Sequence, residues 1–232
     1  MLKGILCGLA ITCISSSVIA ETTIQPCNYF TGAYLGAGFS YQANAEKYEG
    51  ELIQAVNPTF NYVYGGKMSW AENIFLGYGH VIQNFYYLGG EIYGRFNQGK
   101  RNLFEAFLPD RFTAVKTPFA YGLTVKFGYL FSPQLLGYVG IGGEYMRVRF
   151  VNKTTRLGVL TATYLTDKVE GAFLPSAGFE YAITPNWHLG VDASYAIFRD
   201  IDYEDPFTGF VGTFQTARLN IGLNASYHFT NW

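Results

Sequence analysis

Long apolar runs are missing from this 232-residue chain. Hydrophobic residues make up 49% of it, yet no internal stretch reaches the roughly 18 apolar residues a membrane-spanning helix needs. Charge is scarce too. Charged residues are 14% and the formal net charge is -1, a balance that gives no support for nucleic-acid binding, which normally shows a basic patch. Cysteine is limited to Cys7, Cys13 and Cys27. The first two fall inside an export leader, which leaves Cys27 alone and excludes an intramolecular disulfide. Aromatic residues and glycine, by contrast, are plentiful: 19 Tyr, 20 Phe and 27 Gly. Tyr and Phe favour strands, and glycine suits tight barrel corners and crowded interiors.

The leader is residues 1–20. Lys3 supplies the positive start, residues 5–14 form a short apolar core, and Val18-Ile19-Ala20 offers a small-residue cleavage site before Glu21. A lipoprotein signal would need small residues just before a cysteine, and Ala10, Ile11 and Thr12 ahead of Cys13 fit it poorly.

After the leader the dominant signal is alternation. From Ala217, the odd positions Leu219, Ile221, Leu223, Ala225, Tyr227 and Phe229 are apolar; the even positions Arg218, Asn220, Gly222, Asn224, Ser226 and His228 are polar or small. Period two marks a strand with two different surroundings, and this one has the length of a tilted membrane-spanning strand of about 9–11 residues. The pattern recurs near residues 32–41 (Leu35 and Phe39 against Gly36, Gly38 and Ser40), 72–80 (Ile74, Leu76 and Tyr78 against Gly77 and Gly79) and 86–96 (Leu88, Ile92 and Phe96 against Glu91 and Arg95). Further on, Tyr121, Leu123, Val125 and Phe127 oppose Gly122, Thr124 and Lys126, and Val139, Ile141 and Tyr145 oppose Gly140, Gly142 and Glu144. Phe173, Phe179 and Tyr181 then oppose Ser176, Gly178 and Glu180, and Leu189, Val191 and Tyr195 oppose Gly190, Asp192 and Ser194.

These eight strands are joined by links that alternate in length. Residues 42–69, 97–117, 151–168 and 199–214 are long; 81–85, 132–134 and 184–186 are short. Long outer loops and short periplasmic turns characterise outer-membrane barrels, which places both chain ends on the periplasmic side. A soluble β-sandwich also alternates, but it turns its apolar face inward. Here the faces opposite the large aromatics carry Glu91, Lys126, Glu144, Glu180, Asp192 and Arg218. A polar interior beneath an apolar belt is the membrane solution, since closure pairs every backbone group away from lipid. The expected fold is all-β: an eight-stranded antiparallel up-and-down transmembrane β-barrel over residues 21–232.

The run Ser176-Ala177-Gly178-Phe179-Glu180-Tyr181-Ala182-Ile183-Thr184-Pro185-Asn186 resembles the strand–turn segment of the OmpA-like transmembrane domain. Thr124-Val125-Lys126-Phe127-Gly128-Tyr129, Tyr138-Val139-Gly140-Ile141-Gly142-Gly143 and Phe30-Thr31-Gly32-Ala33 resemble other strands of it, and opacity-type small barrels share much of the pattern. The resemblance implies an interior charge cluster in which Lys126, Glu180 and Glu91 take part, with Arg218 compensating for Gly190, where the family has an arginine. It implies envelope integrity, or adhesion to host or neighbouring surfaces through the outer loops. It also implies contact with outer-membrane lipids and lipopolysaccharide, and insertion by the barrel-assembly machinery reading Tyr227 and Phe229 near the C-terminus. Such proteins often carry a C-terminal peptidoglycan-binding domain; with the chain ending at Trp232, none is expected.

An eight-stranded barrel is just wide enough for side chains to fill it, so the six interior charges are expected to pair, buried charges being costly otherwise. The competing reading is a small porin-like channel. The glycines of 32–38 and 137–143 lie within alternating strands with no helix pattern after them, so nucleotide binding is not expected. Asp200, Asp202, Glu204 and Asp205 read as a solvated acidic loop, with weak cation binding as the sharper alternative. His80, His188 and His228 fall at the periplasmic rim; His188 and His228 share the inward phase on neighbouring strands, which leaves open a pH-responsive pair. A lipid-modifying enzyme or protease would need a base beside a nucleophile near the outer rim, where no histidine lies. The chain is therefore expected to be no enzyme, with no cofactor and no metal.

Overall fold

In the computed structural model the described residues are 29–52, 59–64, 68–97, 100–104, 111–156, 159–205 and 210–229. They form strands β1 (Gly32–Leu52), β2 (Thr59–Tyr64), β3 (Met68–Ile82), β4 (Tyr86–Asn97), β5 (Lys100–Phe104), β6 (Arg111–Ser132), β7 (Leu135–Arg156), β8 (Val159–Ala182), β9 (Trp187–Phe198), β10 (Ile201–Asp205) and β11 (Phe210–Phe229). Residues 1–28, which include the expected leader and Cys27, and residues 230–232 lie outside them. Eight strands, β1, β3, β4, β6, β7, β8, β9 and β11, pair antiparallel in sequence order, and β11 pairs back onto β1, so the sheet closes without an edge. The chain is an eight-stranded antiparallel transmembrane β-barrel.

The register sets the barrel's shape. Opposite partners run once round the wall from Gln42 through Asn220, Ser194, Ser176, Gly140, Lys126, Gly89 and Gly79 to Gly32, ten residues down the strand of departure. Ten residues at about 3.3 Å against eight strand spacings of about 4.8 Å tilt the strands by about 40°.

Burial inverts that of a soluble protein. Leu223 is 67% exposed on the outer face, whereas Arg218, on the same strand in the opposite phase, is 1% exposed. Each of the eight barrel strands follows, across the membrane, the phase its alternation predicts, including glycine-rich β7, where Val139, Ile141 and Tyr145 face out and Glu144 faces in. Two aromatic girdles bound the outer belt. At the end with short turns stand Tyr86, Tyr129, Phe131, Trp187, Tyr227 and Phe229; at the other stand Trp70, Phe96, Phe119, Tyr121 and Tyr145. From Phe119 to Phe131 along β6 is about 40 Å, or about 30 Å of height after tilt, which is the thickness of a bilayer's hydrocarbon core.

The two ends differ. At the turn end, 83–85, 133–134 and 183–186 connect strands, and Gln83 and Asn84 adopt positive φ (51° and 67°) to reverse the chain. At the hairpin end the four long links depart from the loops expected of them. β1 continues to Leu52 and pairs with β2; β5 pairs with β6; β7 and β8 continue to Arg156 and Val159; β10 pairs with β11. β7 and β8 are 22 and 24 residues long, about twice what the bilayer needs. Ladder hydrogen bonds persist there because extending an existing hairpin pairs backbone groups that a loop would leave to water.

Inside, several large rings lie against a missing one. Tyr34 is opposite Gly77, Tyr93 opposite Gly122 and Tyr138 opposite Gly178, and a Cβ on any of these glycines would overlap the facing tyrosine. A small barrel fills its bore by such large–small alternation.

Candidate functional site

The six charges predicted for the interior all face inward, and the register sorts them into separate groups rather than one cluster. Nearest the hairpin end, Glu144 (β7) is fully buried. Arg95 Nη1 (β4) donates to it at 2.7 Å, Tyr93 OH at 3.0 Å, and Arg218 (β11) reaches its other oxygen. Two guanidiniums and a phenol thus satisfy one carboxylate, the condition under which a buried ion pair is tolerated. Phe198 lies under the Arg218 guanidinium at 5.4 Å, and Met146 and Val148 are packed into the same end.

At mid-height Lys126 Nζ (β6) donates to Glu91 Oε2 (β4) at 2.5 Å, and Tyr34 OH donates to the same oxygen at 3.2 Å. The ammonium also sits 4.8 Å from the Tyr138 ring centroid, a cation–π contact. Asp192 takes a hydrogen bond from the Asn224 amide, whose Oδ1 accepts from Asn73 at 3.2 Å, and forms no ion pair among the described residues. Between these groups lies a cavity of ≈ 50 Å³, lined by Asn73, Glu91, Lys126, Ser176 and Asp192 among others. Asn73 Oδ1 and Ser176 Oγ are buried there without a protein partner. The volume admits a few waters, each needing about 10–15 Å³.

At the turn end Glu180 (β8) is the centre. Its Oε1 lies 2.9 Å from His188 Nδ1 (β9) and 2.9 Å from His228 Nε2 (β11), and Ser226 Oγ donates to it at 3.3 Å. The imidazoles stack at 3.7 Å between centroids, Tyr34 stacks on His228 at 4.8 Å, and Phe30 meets His188 edge-on at 4.8 Å. Phe30, Tyr87, Leu130, Leu136 and Ala182 close this end apolarly. The donor atoms of Glu180, His188 and His228 lie within 4.8 Å of one another, as a ligand set would. The rings, however, are only 24° from parallel. Imidazole binds metal in its ring plane, and two stacked planes do not converge on one ion at bond length, so the arrangement serves a hydrogen-bonded carboxylate.

The family pattern expected Lys126, Glu180 and Glu91 to share a cluster with Arg218 as compensation. Lys126 does bond Glu91, but Arg218 bonds Glu144 and Glu180 bonds histidines. Arg95 and Tyr93 were missing from the predicted cluster. Arg95 was legible as inward by phase, but only the β4–β6–β7 register brings it to Glu144. His80 is exposed on the outer face at the turn end, apart from the other two histidines.

At the hairpin end, outside the belt, Arg147 Nη2 and Arg149 Nε donate to Asp167 at 2.6 and 2.9 Å. Hydrogen bonds from Arg149 and then Arg147 hold the Asp167 carboxyl below the usual carboxylate range, and Asp167 raises Arg149 in turn. Of the acidic segment, 201–205 is strand β10 rather than loop; Asp200 accepts from Gln215 at 3.0 Å and Asp202 from Thr213 at 3.3 Å.

No family model matches the chain, and no curated protein matches it. Solved structures of small outer-membrane barrels do. The outer membrane protein OprG from Pseudomonas aeruginosa is 10% identical over 89% of this chain and 100% of its own, with a TM-score of 0.48. Neisserial surface protein A is 15% identical over 84% and 99%, with a TM-score of 0.43. Ail, the attachment invasion locus protein of Yersinia pestis, in complex with the heparin analogue sucrose octasulfate, is 12% identical over 84% and 99%, with a TM-score of 0.42. At these identities the likeness is one of barrel architecture, and the role of this chain rests on its own side chains.

Proposed function

We propose that this chain is an outer-membrane barrel of the OmpA-like or opacity type, sealed along its bore, that supports the envelope and meets other surfaces through its outer hairpins. The observation that carries this reading is the division of labour along each strand. Within the membrane the bore is filled by Glu144–Arg95–Arg218, Glu91–Lys126 and Glu180 with its histidines, and closed by apolar side chains at both ends. Beyond the membrane the same strands run on as paired hairpins about as long again. A stiff platform displaying extended hairpins is suited to recognition. By the rule of long outer loops and short inner turns, the hairpins face outward and the turns face the periplasm.

Tyr227 and Phe229, outward at the turn end of the closing strand, are the residues the barrel-assembly machinery would read. A catalytic role is not part of the proposal: His188 and His228 are committed to Glu180, and His80 stands on the lipid-side rim. The runner-up is a narrow ion path, for which the polar cavity beside Lys126 and Glu91 is the favouring observation. To test the main reading, each outer hairpin is cut back in turn, for instance by replacing 150–166 with a short turn, and cells are assayed for adhesion to host-cell and bacterial surfaces. Loss of adhesion with the barrel still inserted is expected from at least one truncation; full adhesion from all four would exclude the hairpins as the recognition elements.

A further inference from the structure

On β6 the outward phase is carried by Phe119, Tyr121, Leu123 and Val125. Simple alternation from there would turn Lys116 into the bore. It does not, because the β6–β7 register shifts by one between Lys116 and Phe119, at Pro118, and sets Lys116 directly opposite Arg149. Val148 is fully buried, so Arg149 faces out, and Lys116 faces out with it. A β-bulge at a barrel rim is a recognised device for re-aiming a side chain.

Its effect here is costly in isolation. Like charges directly opposite on an antiparallel pair repel. Arg147, two residues down β7 on the same face, adds a third cation. Asp167, opposite Arg149 on β8, supplies one carboxylate to both arginines, which leaves a local excess of two positive charges. On the far side of the barrel the rim carries no such cluster of cations: Ala43 and Ala45 stand there on β1, Gln215 and Ala217 on β11, and Gln215 is bonded to the Asp200 carboxylate.

Height identifies the counter-ion. At about 3.3 Å per residue and about 40° of tilt, each residue climbs about 2.5 Å. Arg147 therefore stands about 5 Å beyond the Tyr145 girdle residue, within the polar headgroup layer of about 5–8 Å on each side of the hydrocarbon, and Arg149 about 10 Å beyond it, at the outer margin of that layer, where a side chain can reach back to a headgroup. A phosphate at that depth meets two guanidiniums able to hold it through paired N–H bonds and one ammonium as a point charge. We infer that the outward rim of β6–β8, formed by Lys116, Arg147 and Arg149, is a binding site for the phosphate group of a glycolipid in the outer leaflet.

The test uses the full chain refolded in an uncharged detergent and native mass spectrometry with three probes: phosphorylated lipid A, the same lipid enzymatically dephosphorylated, and excess inorganic phosphate as competitor. Each basic side chain near an anionic lipid surface is worth about a fivefold change. K116Q should weaken retention of phosphorylated lipid A about fivefold, and K116Q/R147Q/R149Q about a hundredfold. The dephosphorylated lipid should bind the native chain no better than the triple variant binds the phosphorylated one. K116Q leaves both Asp167 bridges in place, and heat-modified gel mobility verifies that each variant is folded. H80Q, at the opposite rim, should retain lipid as the native chain does. Equal retention of phosphorylated and dephosphorylated lipid, native retention by a folded K116Q/R147Q/R149Q, or complete displacement by inorganic phosphate would each overturn the assignment, the last by showing a site for free phosphate only.

Discussion

Replacing Glu144 by glutamine keeps the shape of the side chain and one carbonyl oxygen but removes the charge that faces Arg95 and Arg218. Both guanidiniums, 6% and 1% exposed, then lose the carboxylate that they share. Removing one partner of a buried ion pair typically costs about 3–5 kcal/mol, most of it the penalty of the charge left behind. With an m-value of about 2–3 kcal/mol per molar urea, the unfolding midpoint in lipid vesicles should fall by about 1–2 M at unchanged slope. The complementary variant replaces all three groups by apolar ones, Glu144→Leu, Arg95→Met and Arg218→Met. If the penalty is that of uncompensated charge, this triple variant should regain native stability or exceed it by about 1–4 kcal/mol. The reasoning fails if E144Q unfolds within about 0.5 kcal/mol of the native chain, the scatter of an ordinary surface substitution. It fails equally if the apolar triple variant is no more stable than E144Q, for then charge compensation is not what holds this end of the bore.

Gly77→Val would drive two methyls into the Tyr34 ring and should cost about 1–3 kcal/mol in the same assay, with Y34A relieving most of the clash. Leu223→Arg, near the middle of the lipid-facing belt, should cost about 2–4 kcal/mol, whereas Ala217→Arg, nearer the rim on the same strand, should cost about 0–1. The Asp167 carboxyl is held below its ordinary value, so it binds its proton less readily folded than unfolded. Its bridges to Arg147 and Arg149 should therefore be fully present above about pH 4, the unfolded value, and be lost only as pH falls through the lowered folded one. A carboxyl-carbon NMR titration that shows Asp167 protonating above pH 4 would contradict the hydrogen bonding described.

The membrane-spanning part of the fold was legible because a closed barrel gives every strand two unlike surroundings, and a period of two records them residue by residue. Even β7, whose glycines blur the pattern, kept the phase assigned from Val139, Ile141 and Glu144. The outer hairpins were not legible as strands. Beyond the bilayer neither face is required to be apolar, so β2 and β10 alternate over only five or six residues, β5 does not alternate, and 42–69 or 151–168 read as loops. The identity of the interior charges came from phase alone, but their partners did not. Arg218 and Glu144 are 74 residues apart, and only the stagger of ten residues round the wall decides that they meet. Likewise the shared phase of His188 and His228 was visible, while their convergence on Glu180 depends on three strands in register. The bulge that turns Lys116 outward had one local signal, Pro118, a residue that interrupts ladder pairing, but its direction required the register with Arg149.

Planar-bilayer recording of the purified native chain tests the central claim, a transmembrane barrel sealed by its own side chains, most directly. The account predicts successful insertion, shown by protease-protected strands in vesicles, with no conductance steps above the lipid background. Discrete, reproducible steps from the native chain, altered in size by Lys126→Ala, would contradict it and establish the bore as an ion path.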